Sequence, residues 1–360
     1  MNRTQPGATT ILALRSAFPA HRYPQAELTQ KVAELNGLDH VQRTLLERLH
    51  GNCGVRTRHT VLPLPEYAGL RGIGPVNDRY IAEATALGER ALRGALDAAG
   101  VRADELDLLI VTSVTGVAVP SLDARLIPLL GLRPDVKRLP VFGLGCVAGA
   151  AGLARLHDYL MAWPEHTAAL LAVELCSLSW PAGALSTADM VASGLFGDGA
   201  AALVATGGRP ADRRAACPAV VATRSHLYPG SADTLGWDLG PDGFRIRLTA
   251  DLASVIEHQI GDTVGAFLAE HGLTADQVST WICHPGGPRV IDAVEQGLKL
   301  PAGAVELSRR SLADTGNLSS VSVLHILEQV IAAGPPPPGS AGLMIGLGPG
   351  VSAELVLLRW

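Results

Sequence analysis

The sequence has few aromatic residues, no excess of positive charge and no long apolar run, and each lack excludes a class of function. Aromatic residues make up 4% of the 360 residues, and the formal net charge is −5. A nucleic-acid-binding surface needs clustered basic residues and aromatic rings on which bases stack. A membrane span needs roughly 20 consecutive apolar residues, and no such run is present. We therefore expect no nucleic-acid partner and no transmembrane segment.

The cysteines exclude two kinds of framework. They form no CxxC pair and no metal-ligand spacing. An odd number of cysteines in a chain of this length argues against a disulfide framework and indicates a reducing compartment. The N-terminal residues lack the apolar core of a signal peptide. We therefore predict a cytoplasmic protein without a metal site. The five cysteines are Cys53, Cys146, Cys176, Cys217 and Cys283.

An internal repeat organises the chain. Residues 101–110 are similar to residues 273–282, at an offset of 172 (273 minus 101), and strand 168–173 matches 340–345 at the same offset. This repeat predicts an α/β fold of two halves with the same βαβ-type topology, over residues 1–210 and 211–360. Apolar residues at helical spacing predict helices over 78–99, 148–161 and 318–333.

The two halves differ by an insertion. Residues 197–204 match residues 350–357 at an offset of 153, so the first half carries about 19 extra residues (172 minus 153), over 176–194. Loops inserted into a regular scaffold tend to carry specificity rather than stability. We therefore expect this insertion to contribute to a binding site.

Cys146 lies in a glycine-rich segment between an apolar strand and a helix of small residues. The first N–H groups of a helix lack intrahelical partners, and the helix dipole adds partial positive charge there. Both effects favour a thiolate, so we expect a lowered pKa for this cysteine. A small buried apolar residue would fit the same segment. The segment alone therefore leaves structural and catalytic interpretations open.

Two distant residues complement the thiol. His284 ends an apolar strand, at the kind of position where ligands gather in α/β folds. The repeat offset aligns Asn317 with Gly145, at the start of a helix, where an asparagine can also act as a cap. A thiolate needs a base or cation, and an enolate needs hydrogen-bond donors that are not nucleophiles. Cys146, His284 and Asn317 together predict a nucleophilic active site.

These residues lie in motifs that resemble type III polyketide synthases, the chalcone-synthase-like enzymes of the thiolase fold. The resemblance covers nearly the full chain. It implies a layered αβαβα fold of two pseudo-symmetric halves, a homodimer, and an acyltransferase that uses coenzyme A thioesters without a further cofactor. The motifs are Gly145-Cys146 followed by Ala148-Gly149, Leu195-Phe196-Gly197-Asp198-Gly199, His284-Pro285-Gly286-Gly287, Gly316-Asn317-Leu318-Ser319-Ser320 and Gly346-Leu347-Gly348-Pro349-Gly350.

The resemblance also implies roles. Cys146 would accept a starter acyl group, while His284 and Asn317 would bind malonyl-CoA and stabilise the enolate formed on loss of CO2. The enolate would attack the acyl-cysteine in repeated Claisen condensations. Phe196 would separate the coenzyme A tunnel from the cavity, and Val119 would reach into the partner subunit's cavity. Basic residues that flank the tunnel mouth would bind the coenzyme A phosphates, although a solvated basic turn looks the same. The candidates are Arg48, Arg56 and Arg58.

The remaining pocket residues bear on the substrate. Ile246 stands where plant members have a phenylalanine, which favours an aliphatic acyl starter and a resorcinol or pyrone product, although Trp237 narrows one wall. A ketoacyl synthase III, with a single condensation onto a carrier protein, is the nearest alternative, and a non-catalytic relative of the same fold is another. The motifs 285–287 and 348–350 speak against the ketoacyl synthase. The substrate-binding candidates are Thr115, Val119, Cys176, Ser179, Phe196, Trp237, Ile246, Ser319 and Pro349.

Overall fold

A computed structural model describes residues 8–180, 183–208, 217–240, 243–249 and 251–360. The strands are β1 (Thr9–Ala17), β2 (His21–Pro24), β3 (Thr57–Thr60), β4 (Leu108–Thr112), β5 (Lys137–Val141), β6 (Thr167–Leu175), β7 (Asp198–Gly207), β8 (Ala219–Leu227), β9 (Leu235–Gly240), β10 (Gly243–Leu248), β11 (Val278–Cys283), β12 (Ala341–Gly348) and β13 (Ser352–Arg359). The helices are α1 (Gln25–Leu35), α2 (His40–Gly51), α3 (Ile73–Ala99), α4 (Leu122–Leu130), α5 (Ala148–Ala162), α6 (Thr187–Leu195), α7 (Leu252–Glu270), α8 (Pro288–Gly297), α9 (Glu306–Thr315) and α10 (Ser322–Ala332).

Within the described residues, one mixed sheet runs through both halves in the order β11-β12-β13-β8-β1-β7-β6-β4-β5. In the first half β4 pairs parallel with β6, and β6 pairs antiparallel with β7. In the second half β11 and β12, then β12 and β13, repeat these directions. The predicted α/β fold of two pseudo-symmetric halves is therefore confirmed. The predicted boundary between residues 210 and 211 lies outside the described residues and stays a prediction.

Helices cover the sheet in three layers. The apolar faces of α5 and α10 share one core with strands of both halves, so these two helices lie between the halves. Helices α3 and α4 cover the outer face of the first half, and α7, α8 and α9 cover that of the second. Because the two halves of the sheet lie on either side of α5 and α10, the resulting order is helix, half-sheet, helix, half-sheet, helix. No helix in the described ranges is long and apolar enough to cross a membrane.

The helix predicted over 78–99 begins earlier than the apolar spacing indicates. Helix α3 starts at Ile73, because Pro75 falls in its first turn, where a missing N–H leaves no hydrogen bond unmade. The helix ends before Gly100, which has a φ of 69°. The other two predicted helices are α5 and α10, and a short 3-10 turn precedes each of them.

The two 3-10 turns correct the repeat alignment at the site. They span Gly145–Val147 and Ser319–Val321, and the helices after them begin at Ala148 and Ser322. The starts of the two turns differ by 174 residues (319 minus 145), and so do the starts of the two helices (322 minus 148), whereas the repeat predicts 172. Counted from the helices, the counterpart of Cys146 is Ser320, so Asn317 is not the positional equivalent of Gly145.

Candidate active site

Cys146 lies in the turn between β5 and α5, at the contact between the two halves. The residue is 9% exposed. Gly145 before it has a φ of 55°, and a Cβ there would lie 2.7 Å from Cγ of Pro349. A Cβ on Gly149 would lie 2.0 Å from the carbonyl oxygen of Ser320. The glycines around the thiol are therefore required by close approach of the second half.

His284 follows β11 directly and is 2% exposed. Its backbone N–H donates to the carbonyl of Ile345 at 2.9 Å, which ties it to β12. The side chain of Cys283 packs in the core of the second half, so this thiol is not part of the site. His284 Nδ1 is buried and has no hydrogen-bond partner in the described part of the chain, which leaves Nε2 to face the cavity.

Asn317 has both of the functions that the sequence left open. Its side-chain oxygen accepts a hydrogen bond from the backbone N–H of Ser319 at 2.8 Å and so caps the turn. Its Nδ2 atom then faces His284, 3.5 Å from Nε2 of that ring. Cys146, His284 and Asn317 together line one cavity. The three residues proposed as catalytic therefore meet, although they come from three separate segments.

The protonation states differ from the expected ones. Burial raises the pKa of Cys146 to about 12, against the opposing effect of hydrogen bonds with Ser319 and Asn317. Burial also lowers the pKa of His284 to about 3. The expectation of a lowered thiol pKa is wrong here, because desolvation outweighs the electrostatics of the helix start. Both shifts favour the neutral forms of the thiol and the imidazole at neutral pH.

Glu174 is a site residue that the sequence analysis missed. It lies in β6, is fully buried, and accepts hydrogen bonds from Ser320 Oγ at 2.5 Å, Ser319 Oγ at 3.3 Å and the N–H of Val114 at 3.1 Å. Burial raises its pKa to about 7. Its charge in turn raises the pKa of Cys146. The sequence signal that could have identified Glu174 is a single carboxylate in an otherwise apolar strand.

A β-hairpin forms one wall of the pocket. Strands β9 and β10 pair antiparallel, with Trp237 opposite Ile246 and Leu239 opposite Phe244. Trp237 and Ile246 line a cavity at the thiol. The residues of this cavity include Thr115, Cys146, Cys176, Phe196, Trp237, Ile246, Ser319 and Pro349. The structure thus places seven predicted pocket residues around Cys146.

The insertion over 176–194 forms the adjoining wall. A second cavity shares Cys176, Phe196, Trp237 and Ile246 with the first. Ser179, a predicted pocket residue, lies here, together with residues that the sequence analysis did not single out, namely Trp180, Asp189, Ala192, Ser193 and Phe244. The Asp189 carboxylate accepts hydrogen bonds from the N–H and hydroxyl groups of Ser186.

Four predicted residues lie away from the cavity. Val119 is 96% exposed at the surface. Arg48 and Arg56 are also exposed, and Arg56 pairs with Asp314 at 2.5 Å. Arg58 is 1% exposed and held by carbonyl oxygens in the interior. A guanidinium buried in this way does not reach a phosphate at the surface, so the prediction that Arg58 binds coenzyme A is wrong.

Comparison with known proteins identifies the family. Residues 1–210 match the family model for the N-terminal domain of chalcone and stilbene synthases, and residues 219–360 match the model for their C-terminal domain. The chain belongs to the chalcone and stilbene synthase family. It is therefore a type III polyketide synthase, and such enzymes are acyltransferases. The ketoacyl synthase III alternative is set aside by this membership.

Relatives of this type III polyketide synthase cover nearly its whole length. It is 53% identical to a 1,3,6,8-tetrahydroxynaphthalene synthase of Streptomyces peucetius subsp. caesius, over 98% of this chain and 93% of that protein. It is 30% identical to a phloroglucinol synthase of Pseudomonas fluorescens, over 98% and 99% of the two chains.

A solved structure shows the same fold. The 1,3,6,8-tetrahydroxynaphthalene synthase of Streptomyces coelicolor superimposes with a TM-score of 0.91 at 33% identity, over 98% of this chain and 99% of that one. A structure of PKS-I from the brown alga Ectocarpus siliculosus gives a TM-score of 0.92 at 29% identity, over 99% and 100%. Within the described residues, no group of three or more His, Cys, Asp or Glu side chains could hold a metal ion.

Proposed function

We propose that this enzyme builds a polyketide from malonyl-CoA on Cys146 and releases it as 1,3,6,8-tetrahydroxynaphthalene. The convergence of the Cys146 thiol, the His284 imidazole and the Asn317 carboxamide on one cavity carries the proposed reaction. The proposed product is supported by the 53% identity to the Streptomyces peucetius enzyme. Decarboxylation supplies the carbanion, so the proposed reaction uses coenzyme A thioesters and needs no further cofactor.

Loading starts from the neutral pair. Burial holds the pKa of Cys146 at about 12 and that of His284 at about 3, so the thiol proton has to move during the reaction. In the proposed step the sulfur attacks the thioester carbonyl while His284 accepts the thiol proton. The bond to the coenzyme A sulfur then breaks, and the leaving thiolate takes the proton. Acyl-Cys146 and free coenzyme A result.

Extension uses the two nitrogen atoms opposite the thiol. The 3.5 Å between Asn317 Nδ2 and His284 Nε2 is too long for a strong mutual hydrogen bond, which leaves both groups for a ligand. Loading uses the neutral tautomer in which Nε2 is unprotonated, and extension uses the other, in which Nε2 carries the ring proton. Two N–H groups then meet the malonyl thioester oxygen. Loss of CO2 leaves its electron pair on an enolate, whose oxygen these groups stabilise. The enolate carbon attacks acyl-Cys146, and the released thiolate then takes the longer chain from coenzyme A.

Carbon counting connects malonyl-CoA to the proposed product. Each malonyl unit leaves two carbon atoms after it loses CO2, so five units supply the ten carbons of a naphthalene. One aldol closure loses water, and one Claisen closure frees the thiol. The remaining oxygen atoms are the four hydroxyl groups. Malonyl-CoA can therefore serve as both starter and extender.

The pocket walls support a short, polar chain. The two cavities next to the thiol are lined by Phe196, Trp237, Trp180 and Phe244. The Asp189 carboxylate lines the second cavity. An alkyl tail would bury apolar carbon against this carboxylate and remove it from water, which is unfavourable. The hydroxyl groups of an enolised polyketide could instead donate hydrogen bonds to it.

A second candidate function keeps the same condensation with a different starter. Ile246 lines the wall where the family resemblance implies a phenylalanine in plant members. This smaller side chain favours an aliphatic acyl-CoA starter and a resorcinol or pyrone product. The two candidates share the roles of Cys146, His284 and Asn317 and differ only in what is loaded first.

We also propose a homodimer in the cytoplasm. Strand β5 ends the sheet, and exposed apolar side chains lie beside it, including Val119 at 96%, Phe142 at 54% and Val117 at 46%. A second copy of the chain would cover this face, and Val119 would then contact the partner. Within the described residues, Cys53, Cys146, Cys176 and Cys283 form no disulfide, which supports a reducing compartment. Exposed Arg48 and Arg56 remain proposed contacts for the coenzyme A phosphates.

An experiment that identifies the starter distinguishes the two candidate functions. Purified enzyme is incubated with malonyl-CoA alone and with malonyl-CoA plus a series of acyl-CoA starters, and products are identified by liquid chromatography and mass spectrometry. We expect tetrahydroxynaphthalene, or its oxidised quinone, from malonyl-CoA alone. Product that forms only with an acyl-CoA starter would overturn this in favour of the second candidate. Product that requires malonate on a carrier protein would overturn both.

A further inference from the structure

The buried side chain of Arg58 and the half-buried side chain of Gln25 bind the backbone next to Phe196. Arg58 Nη1 donates to the carbonyl of Phe196 at 2.5 Å, and its Nε donates to Gln25 Oε1 at 3.0 Å. Gln25 Nε2 in turn donates to the carbonyl of Gly194 at 2.7 Å. The two side chains thus hold two carbonyls of one short stretch, residues 194–197, here called the gate segment.

The opposite side of the gate segment is bonded to Asn317. The N–H of Asn317 donates to the carbonyl of Leu195 at 2.8 Å, and the N–H of Gly197 donates to the carbonyl of Asn317 at 3.0 Å. A Cβ on Gly316 would lie 2.8 Å from both Cδ of Arg58 and the carbonyl oxygen of Leu195. The gate segment is therefore fixed between Arg58 and Gln25 on one side and Asn317 on the other.

The charge of Arg58 strengthens this arrangement. Burial lowers the pKa of Arg58 to about 10, so the guanidinium stays charged at neutral pH. It lies over the ring of Trp180, with 6.0 Å from Cζ to the ring centroid. Hydrogen bonds from a charged donor are shorter and stronger than neutral ones. A buried charge is costly without such bonds, which makes the carbonyl of Phe196 a required partner of Arg58.

We infer that Arg58, together with Gln25, is a positioning residue for the malonyl step. The pair sets the position of the Phe196 ring directly and that of the Asn317 carboxamide through the gate segment. This inference rests on the roles proposed above for Phe196 and Asn317. None of these hydrogen bonds involves the turn that carries Cys146, and Asn317 affects the pKa of the thiol less than burial does, so malonyl handling responds more strongly than thiol reactivity to changes in the pair.

The test compares Arg58→Met, Arg58→Lys and Gln25→Met with the unchanged enzyme. Arg133→Met serves as the control, because Arg133 is also held by side-chain partners, Asp107 and Asp135, but does not contact the gate segment. For each variant we measure CO2 release from labelled malonyl-CoA, polyketide formed per CO2, alkylation of Cys146 by iodoacetamide, and Tm.

We expect Arg58→Met to lower polyketide formation by ~10- to 100-fold, because small misplacements of reacting groups have effects of that size. Polyketide per CO2 falls, while the alkylation rate stays within about twofold of the original value. Arg58→Lys recovers part of the loss, since it keeps the charge, and Gln25→Met shows a smaller change in the same direction. Arg133→Met changes Tm alone.

The outcomes separate this inference from the proposed function. If the unchanged enzyme releases no CO2 from malonyl-CoA, the proposed function fails. If it does, and both Arg58→Met and Gln25→Met keep the original ratio of polyketide to CO2, the positioning role is overturned while the function stands. A parallel loss of alkylation and polyketide would also overturn it, as a general structural effect. Should Arg58→Met not fold, an unchanged ratio in Gln25→Met decides against the inference.

Discussion

The Nδ2 atom of Asn317 lies 3.5 Å from Nε2 of His284, while the other end of the same carboxamide accepts the N–H of Ser319 at 2.8 Å. The hydrogen bond with Ser319 fixes the orientation in which the carboxamide faces His284. Because the oxygen is engaged by the backbone, the amide presents its N–H groups to the cavity. A capping residue thereby becomes a hydrogen-bond donor for the substrate.

This arrangement predicts different outcomes for two substitutions of Asn317. Asn317→Asp keeps the oxygen that caps the turn but removes the donor, so we expect malonyl-CoA decarboxylation to fall by ~100- to 1,000-fold with little change in Tm. Asn317→Ala removes both contacts and should also cost about 1 kcal/mol of stability. Labelled CO2 release and chemical denaturation measure the two effects. Full decarboxylation in Asn317→Asp would contradict the role of the donor.

The Glu174 carboxyl group should make the reactivity of the Cys146 thiol depend on pH. Its pKa is raised to about 7, and its ionised form raises the pKa of Cys146. Glu174→Gln removes this charge, so we expect iodoacetamide to alkylate Cys146 a few-fold faster than in the unchanged enzyme above about pH 8. Below about pH 6 Glu174 is protonated, and the two rates should converge. A constant ratio across the whole range would show that the charge of Glu174 does not act on the thiol.

The side chain of Trp237 should limit the length of the starter acyl chain. It pairs with Ile246 across the hairpin and lines both cavities next to the thiol. Trp237→Ala should open this wall and raise kcat/KM for octanoyl-CoA relative to malonyl-CoA by about 10-fold or more. Leu239→Ala is the matched control, because Leu239 lies on the same strand and is 66% exposed. Equal preferences in the two variants would contradict the role of Trp237.

We expect an alanine at Gly149 to destabilise the protein, and an alanine at Gly94 to stabilise it. A Cβ at Gly149 would lie 2.0 Å from the carbonyl oxygen of Ser320, so Gly149→Ala should destabilise the fold by at least ~1–3 kcal/mol. Gly94 lies inside α3, where a Cβ would meet Arg15 at 3.7 Å, an ordinary contact. Gly94→Ala should stabilise the protein by roughly 0.5–1 kcal/mol. Urea denaturation compares them, and the same sign for both would refute the close contact between the halves.

Local features of the site followed from sequence because they depend on short-range geometry. Asn317 could be recognised as a cap at a helix start, and His284 as the end of an apolar strand. The repeat revealed the two halves because β4 and β11 have similar sequences. It misaligned the turns and the strands after them by two residues. Counted from the matched residues 282 and 110, the segment between β11 and its 3-10 turn is two residues longer than the segment between β4 and the turn that holds Cys146.

The remaining features depend on contacts between distant segments. The pKa of Cys146 is raised because the other half excludes water from the thiol, an effect that the local helix start does not reveal. Arg58 looked like a surface residue, and its burial depends on Gln25 in α1 and on the carbonyl of Phe196. Asp189 lies in the insertion over 176–194. No sequence pattern indicated that this insertion brings Asp189 to the cavity.

The central claim is that Cys146 carries the growing chain made from malonyl-CoA. Its most direct test is mass spectrometry of the peptide that contains Cys146 after rapid quenching of the enzyme with malonyl-CoA alone. We predict acyl adducts on Cys146 that increase by one two-carbon keto unit at a time, with neither adducts nor polyketide in Cys146→Ala. Polyketide formed by Cys146→Ala, or adducts on another residue, would contradict the account.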